Sequence, residues 1–155
     1  MSKPSIACSR KVNPEGVPKL SAAQVWKGLT LKARDPVSFI PIAKSSEIIE
    51  DLGNTFTRRV VLGDNPPITE VIVQHEGAII YFESPETGHK VTNILSYDEN
   101  NELILTYCFA NGIPGQKFTD QVPAPEVLNQ SAGKSVEKTL EVIRRMVADG
   151  TIKEE

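Results

Sequence analysis

The sequence has few of the residues that hold metals or serve in covalent catalysis. Its 155 residues include two cysteines and two histidines. Cys8 and Cys108 do not form a CxxC pair, and neither His75 nor His89 has a second ligand at HxH or HxxxH spacing. A GxSxG nucleophile motif is also missing. The pattern therefore predicts no metal site, no covalent acyl transfer and no bound cofactor.

An excess of charge of one sign and long apolar runs are missing as well. The 17 basic and 20 acidic residues give a formal net charge of −3 without a basic stripe, so we expect no nucleic-acid partner. No stretch approaches the roughly 18 apolar residues that a membrane span needs, and residues 1–12 lack an apolar core of signal-peptide length. We expect a cytoplasmic protein with reduced thiols. The alternative is a disulfide between Cys8 and Cys108, if the first and last strands are neighbours.

One amphipathic helix is defined by local signals at both of its ends. Ser21 and Gln24 have the spacing of a capping box, and apolar residues then recur at helical spacing up to residue 33. Asp35 followed by Pro36 ends the helix, because the residue before a proline is pushed out of the α region. Residues 37–43 are predicted to form a short second helix that Pro41 interrupts.

Strands dominate the middle of the chain, and a long helix follows them. A first strand is predicted over residues 5–12, and turn residues such as Gly53 and Asn54 separate six more. These six are predicted at residues 45–51, 55–62, 69–76, 78–84, 90–97 and 102–110. Short links between them indicate antiparallel neighbours. Residues 111–124 have the composition of a binding loop or lid, and residues 125–149 that of one helix of about 36 Å.

This order of elements predicts the α+β class. We expect one domain over residues 1–155, in which a curved, seven-stranded antiparallel sheet wraps around the C-terminal helix. The first half of that helix carries small residues such as Ser131, Gly133 and Ser135, whereas Ile143 lies in a bulkier second half. Small residues leave space between a helix and a sheet unless the sheet supplies bulk. We therefore predict an internal cavity, with close packing of helix and sheet as the alternative.

Several polar and aromatic residues are candidates for binding a ligand in that cavity. Arg58 shares a strand face with apolar residues, so it would enter the cavity and bind a carboxylate, water, or an acidic or enolate group of the ligand. Glu83 is its candidate partner or a general base, and tyrosine hydroxyls could orient the ligand. Each could instead be a surface ion pair, a solvated rim charge or a core tyrosine. The candidate ligand-binding set is Arg58, Tyr81, Glu83, Asn93, Tyr107, Phe109, Ser135 and Ile143.

Segment 20–39 carries a family resemblance in Trp26, Gly28, Leu29, Arg34, Pro36 and Phe39. The adjacent Arg58 and Arg59 and residues 137–144 of the last helix agree with it. On these residues the chain resembles the helix-grip (Bet v 1/START, SRPBCC) superfamily and, within it, the AtaL-like family. The resemblance implies a helix-grip fold and a role in specialised metabolism, because some members belong to fungal natural-product clusters. The short turn at residues 50–54 departs from the glycine-rich loop of plant Bet v 1 proteins, which argues against a phosphate cradle there.

Three classes of function fit these predictions. The leading one is binding of a small hydrophobic or aromatic molecule, which the resemblance would make an intermediate of fungal-type secondary metabolism. The second is a cofactor-free cyclase, isomerase or dehydratase that acts on a polyketide-like or peptide-like intermediate, with Arg58 or a tyrosine managing charge. The third is a protein-interaction module with an open apolar groove. We expect the protein to be a monomer or a homodimer.

Overall fold

The computed structural model describes residues 4–115 and 121–153. Within these residues, seven strands and three α-helices are found, with a short 3-10 turn at Pro36–Ser38. The strands are β1 Ile6–Lys11, β2 Ala43–Asp51, β3 Thr55–Leu62, β4 Ile68–His75, β5 Ile79–Glu83, β6 Lys90–Tyr97 and β7 Leu103–Ala110. The helices are α1 Ala22–Arg34, α2 Pro125–Gln130 and α3 Ala132–Ala148.

All seven strands form one antiparallel sheet. Its order is β1, β7, β6, β5, β4, β3, β2, so each strand from β2 to β7 lies beside its sequence neighbour and β1 adds to β7. Tight connections suffice for such a meander, because antiparallel neighbours need no long crossover. Helix α3 packs on the sheet at β1 and β7, and α1 packs against α3. The predicted α+β architecture, a seven-stranded antiparallel sheet with a C-terminal helix packed on it, is confirmed.

The first helix begins and ends where its sequence signals predict. The Ser21 hydroxyl accepts a hydrogen bond from the backbone N–H of Gln24, and the Gln24 side chain accepts from the backbone N–H of Ser21. These reciprocal bonds satisfy two amides that the first turn leaves unpaired. Val25, Leu29 and Ala33 are fully buried, so the apolar stripe of α1 faces the core as predicted.

The segment after α1 differs from the prediction. Residues 37–43 form no α-helix: a single 3-10 turn ends at Ser38, and Ala43 already belongs to β2. Pro36 occupies the first position of that turn, where its fixed φ is favourable. Pro41 has no backbone N–H to donate within a helix, so the turn cannot extend through it.

The C-terminal helix also differs from the prediction, because it is two helices rather than one. The break is Ser131, whose φ of −108° and ψ of −83° are not helical. Arg10 on β1 donates to the side chain and the backbone carbonyl of Asn129 at 3.0 and 3.2 Å. This contact ties α2 to the edge strand. The 17 residues of α3 span about 26 Å, and none of the helices in the described ranges is long and apolar enough to cross a bilayer.

The main core lies between the sheet and the two long helices. Ile143 of α3 is fully buried against Gly28 of α1, where the missing side chain allows the helices to approach closely. The residues with the largest fully buried side chains include Phe56, Ile72, Ile80, Leu105, Leu29, Leu140, Ile143 and Val136. Leu140, Val142 and Ile143 of the second half of α3 belong to the same buried cluster, so this half of the helix is packed into the core, as its bulky residues predict.

Replacing Gly28 with alanine is expected to destabilise the protein. Alanine in a helix interior is normally favoured over glycine by about 0.5–1 kcal/mol. A Cβ at position 28, however, would overlap the side chain of Ile143. Overpacking of this kind costs about 1–3 kcal/mol, so we expect a net loss of free energy of unfolding in urea titrations. The Ile143→Ala background should reduce that loss, and a Gly28→Ala variant as stable as wild type would contradict the close approach.

The two cysteines lie on neighbouring strands but on opposite faces of the sheet. Cys8 is opposite Tyr107, and Cys108 is opposite Ala7, so the two positions differ by one residue in register. Successive side chains of a strand point to opposite faces, so these sulfurs cannot meet. Cys8 is buried, Cys108 is half-buried, and both are free thiols. The disulfide alternative is therefore wrong.

Candidate functional site

A cavity of about 700 Å³ lies between the sheet and the first half of α3. Small residues, Ala132 and Ser135 of α3 and Ser131 at the break before it, form one wall, where the sequence predicts space. Volumes of roughly 300–1,000 Å³ are typical of small-molecule sites. Apolar residues that line it include Phe39, Ile40, Phe82, Val91, Phe109 and Ile113. Polar residues that line it include Lys32, Arg58, Glu70, Asn93, Tyr107 and Thr139.

Five of the candidate residues line this cavity. They are Arg58, Asn93, Tyr107, Phe109 and Ser135. They come from β3, β6, β7 and α3, so the sheet and the helix bring together side chains that are distant in sequence. That these residues bind a ligand stays a prediction. The predicted loop over residues 111–124 includes 116–120, which lie outside the described residues, and its described part contributes Ile113 and Pro114 to the wall.

Tyr81 and Glu83 do not face the cavity, so their placement in it is wrong. On β5 they alternate with Ile80 and Phe82, which are buried on the inner face. Tyr81 is 40 % exposed and packs edge-on against His75, with ring centroids 5.6 Å apart. The Glu83 carboxylate is exposed, 3.9 Å from the Nζ of Lys90. Because side chains alternate along a strand, the inward Phe82 forces both neighbours outward.

Ile143 is likewise not among the residues that line the cavity. Its side chain is fully buried in the core against Gly28. The second half of α3 is packed tightly, so the cavity ends before it reaches Ile143. The residue therefore supports the fold rather than contacting the cavity.

Arg58 is buried, as predicted, but its carboxylate partner is Glu70 and not Glu83. Nε and Nη2 of Arg58 donate to Oε1 of Glu70 at 3.0 and 2.8 Å. Nη1 donates to the carbonyls of Ala33 at 2.7 Å and Lys32 at 3.3 Å, at the C-terminal end of α1. Both charged side chains are 6 % exposed. The guanidinium is thus neutralised inside the protein by a carboxylate and by the negative end of a helix.

The sequence of the hairpin between β3 and β4 contains a signal that identifies Glu70 as the partner of Arg58. Arg58 and Glu70 lie six residues before and after Asp64, in the middle of the turn-rich segment that joins the strands. Residues equally spaced from a hairpin turn face each other, and the two are indeed direct cross-strand partners. The sequence therefore contained the information for this pair.

Lys32 is the functional candidate that sequence reasoning missed. Its side chain reaches from α1 into the cavity, where Nζ donates to Oδ1 of Asn93 and to the hydroxyl oxygen of Tyr107, both at 2.7 Å. The residue is 5 % exposed. A signal existed, because Lys32 falls on the same helical face as Val25 and Leu29. A lysine on an apolar stripe is rarely buried without a partner.

A chain of hydrogen bonds with a defined direction continues from Lys32. The Tyr107 hydroxyl donates to Oγ1 of Thr139 at 2.6 Å, and that hydroxyl donates to the backbone carbonyl of Ser135 at 3.1 Å. A carbonyl oxygen only accepts, so each hydroxyl in the chain must donate toward Ser135. The Tyr107 oxygen is therefore left to accept from Lys32.

The cavity environment favours the neutral form of both Lys32 and Tyr107. Burial, and to a smaller extent the nearby Arg58 guanidinium, holds the pKa of Lys32 well below its ordinary value, while Glu70 acts in the opposite direction. Burial raises the pKa of the Tyr107 hydroxyl, with a smaller opposing effect from its hydrogen bond to Thr139. Both shifts oppose charge on the Lys32 amine and on the Tyr107 phenol, which face each other in a largely apolar cavity.

Asn93 supplies a donor that none of the described residues uses. The side chain is fully buried and lines the cavity, and its Oδ1 accepts from Lys32. Its Nδ2 has no hydrogen-bond partner among the residues that the structure describes. Leaving such a group unsatisfied costs about 1–3 kcal/mol. A carbonyl, ether or hydroxyl oxygen of a ligand that reaches Nδ2, an atom with almost no exposed surface of its own, would remove that cost.

Comparison with known families supplies the assignment that the geometry alone does not. Residues 6–150 match the family described as acetylaranotin biosynthesis cluster protein L, AtaL. The chain belongs to the AtaL family. This match covers nearly the whole sequence and confirms the family resemblance of segment 20–39. No curated protein matches the sequence.

Solved structures similar to this AtaL family member share its helix-grip fold. One is the di-domain aromatase/cyclase StfQ of the steffimycin pathway, with a TM-score of 0.62 and 14 % identity over 95 % of this chain and 52 % of that one. Another is the Zhui aromatase/cyclase from Streptomyces sp. R1128, with a TM-score of 0.58 and 15 % identity over 94 % and 95 %. The chain thus spans about half the length of the di-domain protein. At these identities the likeness establishes the fold.

Proposed function

We propose that this protein binds a small, mostly apolar or aromatic molecule that carries a carbonyl group. The exposed surface of the cavity is mainly apolar, and Lys32, Asn93 and Tyr107 form a hydrogen-bonded polar group in its wall. Charged residues that also line it include Arg58, Glu70, Lys134, Glu137, Lys138 and Glu141. A ligand with a flat hydrocarbon body and one or two oxygen atoms would match that distribution. The family name refers to a biosynthesis cluster, and similar folds belong to aromatase/cyclases, so we place the ligand among polyketide-like biosynthetic intermediates.

The observation that carries this proposal is the unused N–H donor of Asn93. A fully buried amide with one satisfied end and one free end is expected where a ligand completes the hydrogen bonding. The donor selects an oxygen acceptor over a purely hydrocarbon ligand, because binding the hydrocarbon leaves the amide unsatisfied. The other basic residues that line the cavity each have an acidic partner: Arg58 pairs with Glu70, Lys134 with Glu137 and Lys138 with Glu141. We therefore take the ligand group to be a neutral carbonyl rather than a carboxylate.

A second candidate function is a cofactor-free cyclase, which Lys32 favours. Cyclisation of a polyketide-like chain requires activation of a carbonyl compound by proton transfer or covalent attachment. A buried amine next to a free amide donor could supply that activation. Binding is the requirement common to both functions, so it is tested first.

Asn93 is expected to discriminate between a ketone and a hydrocarbon of similar size. Isothermal titration calorimetry with 2-acetylnaphthalene and 2-ethylnaphthalene should give tighter binding of the ketone by about 1–1.5 kcal/mol, or roughly tenfold in Kd. The Asn93→Leu variant should bind both probes with similar affinity, because it keeps the approximate shape of the side chain and removes the donor. A Tyr81→Phe variant, altered on the outer face of the same sheet, should keep the preference of the wild type.

The outcome that would contradict the proposal is equal affinity of the wild type for the two naphthalenes, or binding of neither. Thermal unfolding of each variant, followed by circular dichroism, checks that the affinities refer to folded protein.

Three expectations from the sequence stay predictions alongside this proposal: a single domain over residues 1–155, a cytoplasmic location, and a monomer or homodimer.

A further inference from the structure

We infer that Nζ of Lys32 is a nucleophile that condenses with a ketone or 1,3-diketone of the bound molecule to form an imine. The inference rests on the proposed binding of a carbonyl compound and specifies how one atom of the protein would act on it. Lysine amines form such bonds with carbonyl compounds when they are neutral and accessible to the ligand. Lys32 forms part of the cavity wall, and its burial lowers the pKa of the amine, which favours the neutral form.

The hydrogen bonds of Lys32 suit a neutral amine. A neutral amine has two N–H groups and one lone pair, and Nζ donates to two acceptors, Oδ1 of Asn93 and the hydroxyl oxygen of Tyr107. The direction of the chain through Thr139 to Ser135 requires the Tyr107 oxygen to accept from Lys32. Both N–H groups are therefore used, which leaves the lone pair available to a ligand.

The charged groups around Lys32 also favour the neutral form, although the ring faces of Tyr107 and Phe82, 4.1 and 5.7 Å from Nζ, act in the opposite direction. None of the ion pairs in the described part of the chain includes Lys32. The nearby acidic residue, Glu70, is paired with Arg58. The guanidinium of Arg58 places a positive charge close to the Lys32 amine. Burial together with a neighbouring cation lowers the pKa of a lysine, as in enzymes that use the amine as a nucleophile.

Asn93 places the amine and the carbonyl side by side. One end of its amide accepts from Nζ of Lys32, and the other end is the unused donor proposed to hold the ligand oxygen. The two ends of a single amide are adjacent, so we expect a carbonyl oxygen bound to Nδ2 to bring its carbon near Nζ. Tyr107 is a positioning residue, because its hydrogen bond to Thr139 holds the hydroxyl that orients the amine.

The condensation balances without an added reactant. The lone pair of Nζ forms a bond to the carbonyl carbon, and the π electrons of the carbonyl move to its oxygen. The two hydrogens of the amine leave with that oxygen as water, and a carbon–nitrogen double bond remains. With a 1,3-diketone the imine isomerises to an enaminone by transfer of one hydrogen from the central carbon to nitrogen, with no further gain or loss of atoms.

The test uses 2,4-pentanedione as the probe at neutral pH. Intact mass spectrometry of the wild type should show one adduct with the mass of the probe less one water, and peptide mapping should locate it at Lys32. Less than about one in a thousand ordinary lysines is neutral at pH 7, and each unit by which the pKa is lowered raises that fraction about tenfold. We therefore expect Lys32 to react at least about tenfold faster than the exposed Lys27 of the same helix.

Variants of α1 provide the controls. Lys32→Met should lose the adduct, whereas Lys27→Met should keep the rate of the wild type. Protein unfolded in urea should lose the preference for position 32, because the effect depends on burial. Absence of an adduct on the wild type, or an adduct spread over exposed lysines, would overturn the inference without reliance on a variant.

The naphthalene titrations separate this inference from the function on which it rests. If 2-acetylnaphthalene binds with the predicted preference but 2,4-pentanedione does not condense at Lys32, the imine is wrong and the binding function stands. If 2,4-pentanedione condenses at Lys32 but neither naphthalene binds, the amine is reactive and the proposed ligand class is wrong.

Discussion

Replacing Arg58 with leucine is expected to lower the free energy of unfolding by about 3–5 kcal/mol. The substitution leaves the Glu70 carboxylate, only 6 % exposed, without the guanidinium that binds it. It also removes the donor to the carbonyls of Ala33 and Lys32 at the end of α1. A buried charge without a partner destabilises a protein more than the removal of an exposed charge does. Urea denaturation of the wild type and the variant would measure the change in the free energy of unfolding.

The neighbouring Arg59 provides the matched control. It points to the other face of β3, its side chain is 50 % exposed, and its ion pair with Glu47 has an N–O distance of 4.0 Å. Exposed ion pairs contribute roughly 0–1 kcal/mol, so Arg59→Leu should have little effect. The double variant Arg58→Leu with Glu70→Leu should recover most of the loss, since it removes both charges. Equal effects of the two single arginine variants would show that the pair with Glu70 does not bear on stability.

Lys32 is expected to make the stability of the protein depend on pH, and Lys32→Met should remove that dependence. The folded-state pKa of Lys32 lies well below its ordinary value near 10.4. Between these two pKa values the unfolded chain holds about one more proton than the folded chain. The free energy of unfolding therefore increases by about 1.4 kcal/mol for each pH unit as the pH rises through that window.

The measurement is urea denaturation of wild type and variant at several pH values from neutral upward. Burial raises the pKa of Cys108 and of Tyr107. The free energy of unfolding therefore falls as the pH rises past the ordinary pKa values of these groups, near 8.5 and 10, because only the unfolded chain then loses their protons. Subtracting the Lys32→Met curve from that of the wild type removes the contribution of Cys108. Tyr107 contacts Lys32 directly, so the comparison is restricted to pH values below the ordinary pKa of tyrosine. Lys27→Met should follow the wild type, because Lys27 is exposed. A difference curve that is flat with pH would mean that Lys32 is charged in the folded protein.

These two expectations describe one feature of the molecule, a group of polar side chains inside an apolar enclosure. Arg58 and Glu70 satisfy each other, so they contribute to structure without requiring a ligand. Lys32 and Asn93 are satisfied only in part, because Nδ2 of Asn93 has no partner within the described residues. The incomplete pair is therefore the better candidate for binding, although Arg58 is the more conspicuous residue in the sequence.

The elements that sequence reasoning predicted correctly depend on neighbouring residues. The capping box at Ser21 and the proline after Asp35 set both ends of α1 within a few residues. Turn residues between the strands set the meander, and the register of a hairpin follows from its turn. For that reason Glu70 could have been assigned to Arg58 from the sequence.

Two errors arose where local patterns were ambiguous. Strand β5 has large apolar residues on both faces, with Ile79 and Tyr81 on one and Ile80 and Phe82 on the other. Alternation alone cannot say which face is inner, and the assignment of Tyr81 and Glu83 to the cavity was wrong. The break between α2 and α3 involves Arg10, which holds Asn129 from 119 residues away. A contact between residues so distant in sequence has no effect on the apolar periodicity from which a helix is predicted.

The sequence by itself determined the fold class, the family and the apolar faces of the main elements, because caps, turns and hydrophobic periodicity act over a few residues. Only the tertiary structure decided which polar side chains meet in the wall of the cavity. Lys32 meets Asn93 and Tyr107 across 61 and 75 residues of chain. Burial, the neighbouring cation and the unused amide arise only when sheet and helices close around them, since the pKa of an amine depends on its surroundings.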